Sequence, residues 1–376
     1  MTTDRRRDGA RGGRRRATVA AALVAVLVGG ACAQEADGPD AAIGGDPGEF
    51  AASEQYLAGV AAATEGSSYR MSMDMTMVGE DAGGSFEVGG TFMTGEVDGD
   101  RTSMSMDMHE LFADMADQFP ADEAPPDAFL DADLTMEVVT DGTTGYLRAP
   151  YFAALGEMAL DAGATRDDLG PLADIATLGD EWGSIDLAEV SPSQVANAAG
   201  GQTSDPRVFL DLMAEGTDVH DLGTEAIDGV DTRGLGATIT FVELLESQAT
   251  DVDDFRDDMV PEGVEPVPDE FDDALDAMLA LEIPVQAWID GDDRVRRVVL
   301  EMRMTELVER MAEAAGEQME EGGLTMTMTM DFTDYGDDTI AIEVPTDAVD
   351  VTDEFRALVE DGGPAMGTGP SPFGTT

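Results

Sequence analysis

One thiol and twenty-three thioethers are the side chains of this sequence whose chemistry goes beyond acid–base work. Cys32 is the only cysteine, and it closes the stretch LVAVLVGGAC that begins at Leu23. Seven arginines, from Arg5 to Arg16, precede it. A basic start, a short apolar run and small residues at its end make an export signal. A cysteine at the cleavage position can take a diacylglyceryl group on its sulfur and become the first residue of the mature chain. Gly30 and Ala31 supply the small residues this needs, while Gly29 stands where such signals usually carry leucine. The other reading is an ordinary secretory signal with a chance cysteine. A spanning anchor fits less well, because the apolar run from Ala17 to Ala31 is shorter than the ~20 residues a bilayer requires.

The thioethers fall in period-two rows. Met71, Met73, Met75 and Met77 alternate with Ser72, Asp74 and Thr76. Met104 and Met106 repeat the pattern, as do Met302 and Met304, and Met326, Met328 and Met330. On strands, each row lies on one face. Three chemistries suit such a face. Methionine can replace leucine or isoleucine in a packed core, or its adaptable chain can line a cavity for acyl chains. Its soft sulfur can also hold Cu(I) outside the cytoplasm, and His109, directly after Met108, is the residue that would strengthen that third reading.

Other chemistry finds little support. His109 and His220 stand far apart, and the sequence lacks G-x-S-x-G, H-E-x-x-H, a P-loop and S-x-x-K. Carboxylate pairs carry no information in a chain with 80 acids. The acidic runs DVDDF, DEFDD and DGDD lack calcium-loop spacing and read as solvated surface, with Asp290-Gly291 as a hairpin turn. No enzyme activity, metal site or cofactor is therefore expected. Loss of residues 1–31, with two acids and seven arginines, would take the net charge from −60 to −65. A lysine-free body this acidic repels phosphate backbones and excludes nucleic acid as a partner. With no second cysteine, no intramolecular disulfide can form.

The elements that position the methionines follow from pattern and turns. Residues 33–48 read as a polar, turn-rich tether spanning on the order of 20 Å. A helix is expected from Glu49 to Thr64, then a three-stranded meander carrying Tyr69–Met77, Phe86–Phe92 and Met104–Met108. His109 to Phe119 reads as a short helix. Strands around Leu134–Val138 and Tyr146–Leu147 turn at Asp141-Gly142, and Trp182 begins a connection. Helices are expected at 192–199 and 206–215, each with a proline near its start. Two strands turn at Asp228-Gly229. Acidic helical insertions are expected near 245–282 and 305–322. The hairpin Val285–Met304, the strand Leu324–Phe332 and a last strand Ile340–Val344 complete the pattern. This makes an α+β chain with an antiparallel sheet covered by helices on one face.

The order of these features, with IDGVDTRG, PVQAWIDGDDRVRRV and TMDFTDYGDDTIAIEVP in the late sheet, resembles the actinobacterial LppX/LprG-type lipoproteins. More distantly it resembles the LolA/LolB lipoprotein carriers. The resemblance covers about Phe50 to Val351. It implies one domain over 49–352, in which a strongly curved antiparallel sheet wraps around helices as a half-barrel. It also implies a lipid-anchored protein on the extracytoplasmic face of the cell membrane, with the acyl groups of Cys32 as anchor. Such a protein would hold a glycolipid or other acyl chain, with the methionines above as lining. The alternatives are a scaffold or surface lipoprotein with a filled core, and a Cu(I)-binding protein. Residues 353–376 are expected to form a disordered tail.

Overall fold

The computed structural model describes residues 56–57, 59–61, 64, 66–81, 84–118, 125–161, 163–190, 205–247, 252, 255–256, 275–305 and 323–360. The export signal, Cys32, the tether, the helix expected at 192–199 and most of both acidic insertions lie outside these residues.

Alternation of methionine with serine, threonine or aspartate forces the chain at Tyr69 into strand, because only period two buries every thioether on one side. The result is β1 (Tyr69–Asp81), followed by β2 (Gly84–Asp98) and β3 (Arg101–Asp107). Gly99, at φ +65°, supplies the left-handed residue of the second turn. Helix α1 (His109–Gln118) and the short α2 (Asp127–Leu130) lead to β4 (Thr135–Asp141) and β5 (Thr144–Arg148). Next come α3 (Pro150–Asp161), α4 (Arg166–Leu169), α5 (Leu172–Ile175) and a 3₁₀ turn (Ala176–Leu178). Strand β6 (Gly183–Asp186) lies directly after Trp182.

The second half of the sheet follows α6 (Pro206–Glu215), whose first turn opens with Pro206 and is capped by the Asp205 carboxylate. Strands β7 (Thr217–Ile227) and β8 (Val230–Thr240) join at Asp228-Gly229. Both turn residues have positive φ, 51° and 80°, as a two-residue I′ hairpin requires. After α7 (Phe241–Ser247) come β9 (Glu282–Asp290), β10 (Val295–Arg303) and β11 (Gly323–Thr333). The turn between β9 and β10 is longer than a two-residue Asp-Gly hairpin and places Asp293, not Gly291, at positive φ. The short β12 (Val349–Asp350) and α8 (Thr352–Glu360) close the described chain.

All twelve strands form one sheet in the order β12-β6-β5-β4-β3-β2-β1-β11-β10-β9-β8-β7. Two meanders meet where β1 pairs antiparallel with β11, Met73 opposite Met330. The sheet is mixed, since β12 runs parallel to β6.

Several expectations need correction. The sheet is neither closed nor strongly curled, so the half-barrel is wrong. Its ends cannot meet productively: β12 has two residues, while β7 is irregular, with two register shifts, Asp218 at positive φ, and Asp221 and Glu225 along its length. Short, bulged and charged edges resist pairing. Residues 340–344 are not a strand. Ile340 and Ile342 are buried by alternation, but they find no ladder partner, and strand structure resumes only at Val349. Residues 353–360, expected in a disordered tail, belong to α8, whose Phe355 packs with Leu172, Ile175 and Val351.

Candidate functional site: a buried methionine face

The register brings the methionine rows together. Across β10, β11, β1, β2, β3 and β4 run Val298, Met330, Met73, Met93, Met106 and Met136, each opposite the next. One step along, Leu300, Met328 and Met75 face Gly90; beyond them Met302, Met326 and Met77 face Val88. On the other side, Phe332, Met71, Gly95, Met104 and Val138 form a fourth row. The sequence-expected residues on these strands thus share one continuous face. Met304 follows β10, where its backbone N–H donates to the Leu324 carbonyl.

That face is filled. Met326 and Met330 are 0 % exposed and Met302 and Met304 2 %; Met71, Met73, Met77, Met104, Met106 and Met328 are also buried. Met75 alone of the expected set is half-buried. The cover comes from Phe209, Leu210, Leu212 and Met213 on α6, Phe241, Leu244 and Leu245 on α7, and Leu57, Val60, Leu275, Met278 and Leu279. Burial of this kind stabilises by roughly 25 cal/mol per Å² of apolar surface, and thioether chains adapt to an irregular partner surface. Among the described residues, a small cleft opens beside Met75, lined also by Gly90, Thr91, Phe92, Asp107, Glu110 and Leu111. Its interior of about 10 Å³ is on the scale of one water molecule.

Sequence reasoning missed Met93 and Met278, and it placed Met136 on its strand and Met213 on the apolar face of its helix without joining them to this face. Met93 was hidden by a bulge: Met73 pairs with Met93 but Asp74 pairs with Thr91, so Phe92 is the extra residue and the alternation from Phe86 changes phase there. Met213 and Met278 sit in the helical cover, where a lone methionine carries no period-two signal.

The copper reading loses its histidine. Met108 is buried beside Leu111, Phe129 and Leu134, whereas His109 is exposed and its backbone N–H donates to Asp107. His220 lies at the β7 edge, its ring over Gly236 and its Nδ1 2.6 Å from the Asp218 carbonyl oxygen. Among the described residues no three of His, Cys, Asp or Glu converge as metal ligands. Asp290, in the DGDD run, is a turn residue: its buried carboxylate accepts from the Asp292 and Arg294 backbone N–H groups and pairs with Arg296 at 2.6 Å. Arg294 and Arg296 both lie over the Tyr335 ring, which packs against Tyr69. Burial pushes both phenols well above their ordinary pKa, so both stay protonated.

The sequence matches no protein-family profile and no curated protein. Among solved structures it is similar to the lipoprotein LppX of Mycobacterium tuberculosis, at 11% identity over 80% of this chain and 100% of that one, with a TM-score of 0.34. It is similar to LprF of Mycobacterium bovis, at 13% identity over 79% and 98%, TM-score 0.30. A putative outer membrane lipoprotein-sorting protein domain of Vibrio parahaemolyticus follows at 9% identity over 78% and 95%, TM-score 0.17. The likeness to actinobacterial lipoproteins is weak and consistent.

Proposed function

We propose that this chain is a non-catalytic lipoprotein, held at the extracytoplasmic membrane face through Cys32, that serves as a surface or scaffold module with a filled core. The observation that carries the second half of this reading is the methionine face. Where an acyl-binding protein would keep apolar space between sheet and helices, Met326, Met330 and Phe332 are fully enclosed by the chain's own side chains. An uncurled sheet also gives no concave wall for acyl chains to follow. The first half rests on the export signal, the cysteine that closes it and the tether that follows.

Purification of the full chain with and without detergent delipidation, followed by lipid mass spectrometry, tests the proposal. The expected result is no lipid beyond that covalently attached at Cys32, and membrane association that Cys32→Ser abolishes. A stoichiometric co-purifying glycolipid or acyl lipid would restore the carrier reading. Unchanged partitioning of Cys32→Ser would remove the anchor.

A further inference from the structure

Among the expected methionines on the described face, Met75 is the one left half-buried, and its surroundings have their own construction. Met75 lies on β1 with Met328 on one side and Gly90 on the other. Gly90 has no side chain to cover the thioether, and the bulge at Phe92 lifts β2 just beyond it. The cleft left there is open to solvent and runs between Met75 and the start of α1. Glu110 of α1 reaches over Gly90, where a Cβ would come within 2.7 Å of its Oε2. Met75 also packs against two clusters at once, the main core and the smaller one of Val88, Met108 and Leu111 that seats α1 on the sheet.

We propose that Met75 is a methionine-sulfoxide site, oxidised by hydroperoxides, whose modification loosens α1 from the sheet. The Met75 sulfur attacks one peroxide oxygen, an S–O bond forms and the O–O bond breaks. The oxygen bound to sulfur gives up its proton and the departing hydroxide (an alkoxide, for an organic hydroperoxide) takes one, leaving as water or the alcohol, so sulfur loses two electrons and the peroxide gains two. Susceptibility of a thioether follows its access to solvent. The product is a strong dipole with an acceptor oxygen, placed where Asp107 and Glu110 offer carboxylates and the Thr91 hydroxyl already donates to Asp74 at 2.5 Å. Among these side chains the sulfoxide oxygen faces carboxylates and must take its donors from water, and separation of α1 from β2 widens the one-water cleft to admit them.

Exposure of the full chain to dilute hydrogen peroxide, read by peptide mass spectrometry and amide hydrogen exchange, tests this. Met75 should oxidise on the order of tenfold or more faster than Met73, Met326 and Met330, which react only through opening of the native state. Exchange over 109–118 should rise in step with Met75 oxidation, and Met75→Leu should abolish that rise. If Met75→Leu does not fold, enzymatic reduction of the sulfoxide in the oxidised full chain serves instead; it should return exchange over 109–118 to its starting value in step with loss of the Met75 sulfoxide. Oxidation of Met75 no faster than Met73, or complete oxidation with unchanged exchange over 109–118, overturns the proposal.

Discussion

Met330 and Asp290 carry opposite kinds of burial, and each has a distinct consequence. Met330 is fully enclosed and paired with Met73 on one side and Val298 on the other. Met330→Ala should lower stability by about 2–5 kcal/mol, since the lost contacts leave a cavity. Met330→Leu should cost less than about 1.5 kcal/mol, because volume is nearly conserved. Denaturant unfolding of both variants separates packing from any need for sulfur: a large loss with leucine would contradict a role confined to packing. Asp290 is a charge held inside. Burial by itself raises its pKa, but the Arg294 N–H, the Arg296 guanidinium and the Asp292 N–H outweigh that and hold it below the ordinary carboxylate range. Its contribution is therefore complete above the unfolded value of about 4 and is lost as pH falls through the lower folded value. Asp290→Ala should destabilise by about 3 kcal/mol at neutral pH, leaving Arg296 unpaired. Glu301 has the reverse sign. Burial raises its pKa, so its contribution is present at acid pH and lost as pH rises through the folded value. Glu301→Gln should raise the neutral-pH midpoint, and the gain should vanish in acid; an unchanged or lowered midpoint at pH 7 would contradict this.

At the scale of the element, the strands set the phase of the methionines, and two backbone features in β2 set its path. Gly89 lies opposite Thr76, and a Cβ there would meet the Met75 carbonyl oxygen at 2.6 Å and the Thr76 Cα at 2.9 Å. Both are backbone atoms, so Gly89→Ala must move the strand. A loss of roughly 1–3 kcal/mol in a denaturant titration is expected, with faster exchange along β1 and β2; a neutral variant would mean that the β1–β2 ladder is looser than the register implies. Those same features decide how much of the site could be read beforehand. Met71–Met77 and Met326–Met330 announce themselves because every second residue is a thioether, and the I′ turn at Asp228-Gly229 fixes the β7–β8 hairpin. Met93 does not, because a bulge changes the phase of its strand and nothing local marks the extra residue. β6 is four residues long and gains its place from β5 and β12, partners distant or weak in sequence. Ile340–Val344 shows the converse error: its alternation reports burial, while strand structure needs a neighbour to pair with.

For the molecule as a whole, curvature was the property least accessible from side-chain pattern. Alternation gives the wet and dry faces of a sheet, not how far it bends, and a half-barrel and an open sheet have the same period. What distinguishes them is the state of the edges and the filling of the inner face. Here β7 is charged and bulged, β12 is vestigial, and helices α6 and α7 with their neighbours press onto the methionines. The acidic chain, at net −60 for the full sequence, is self-repelling, and apolar chemistry is concentrated on that inner face. Methyl-labelled methionine gives the most direct test of whether this face is closed. On addition of detergent-solubilised acyl lipid to the full chain, the ¹³C-methyl resonances of Met73, Met302, Met326 and Met330 should keep their positions. Saturable shifts of those four methyls would mean that acyl chains enter between sheet and helices, and would contradict the filled core.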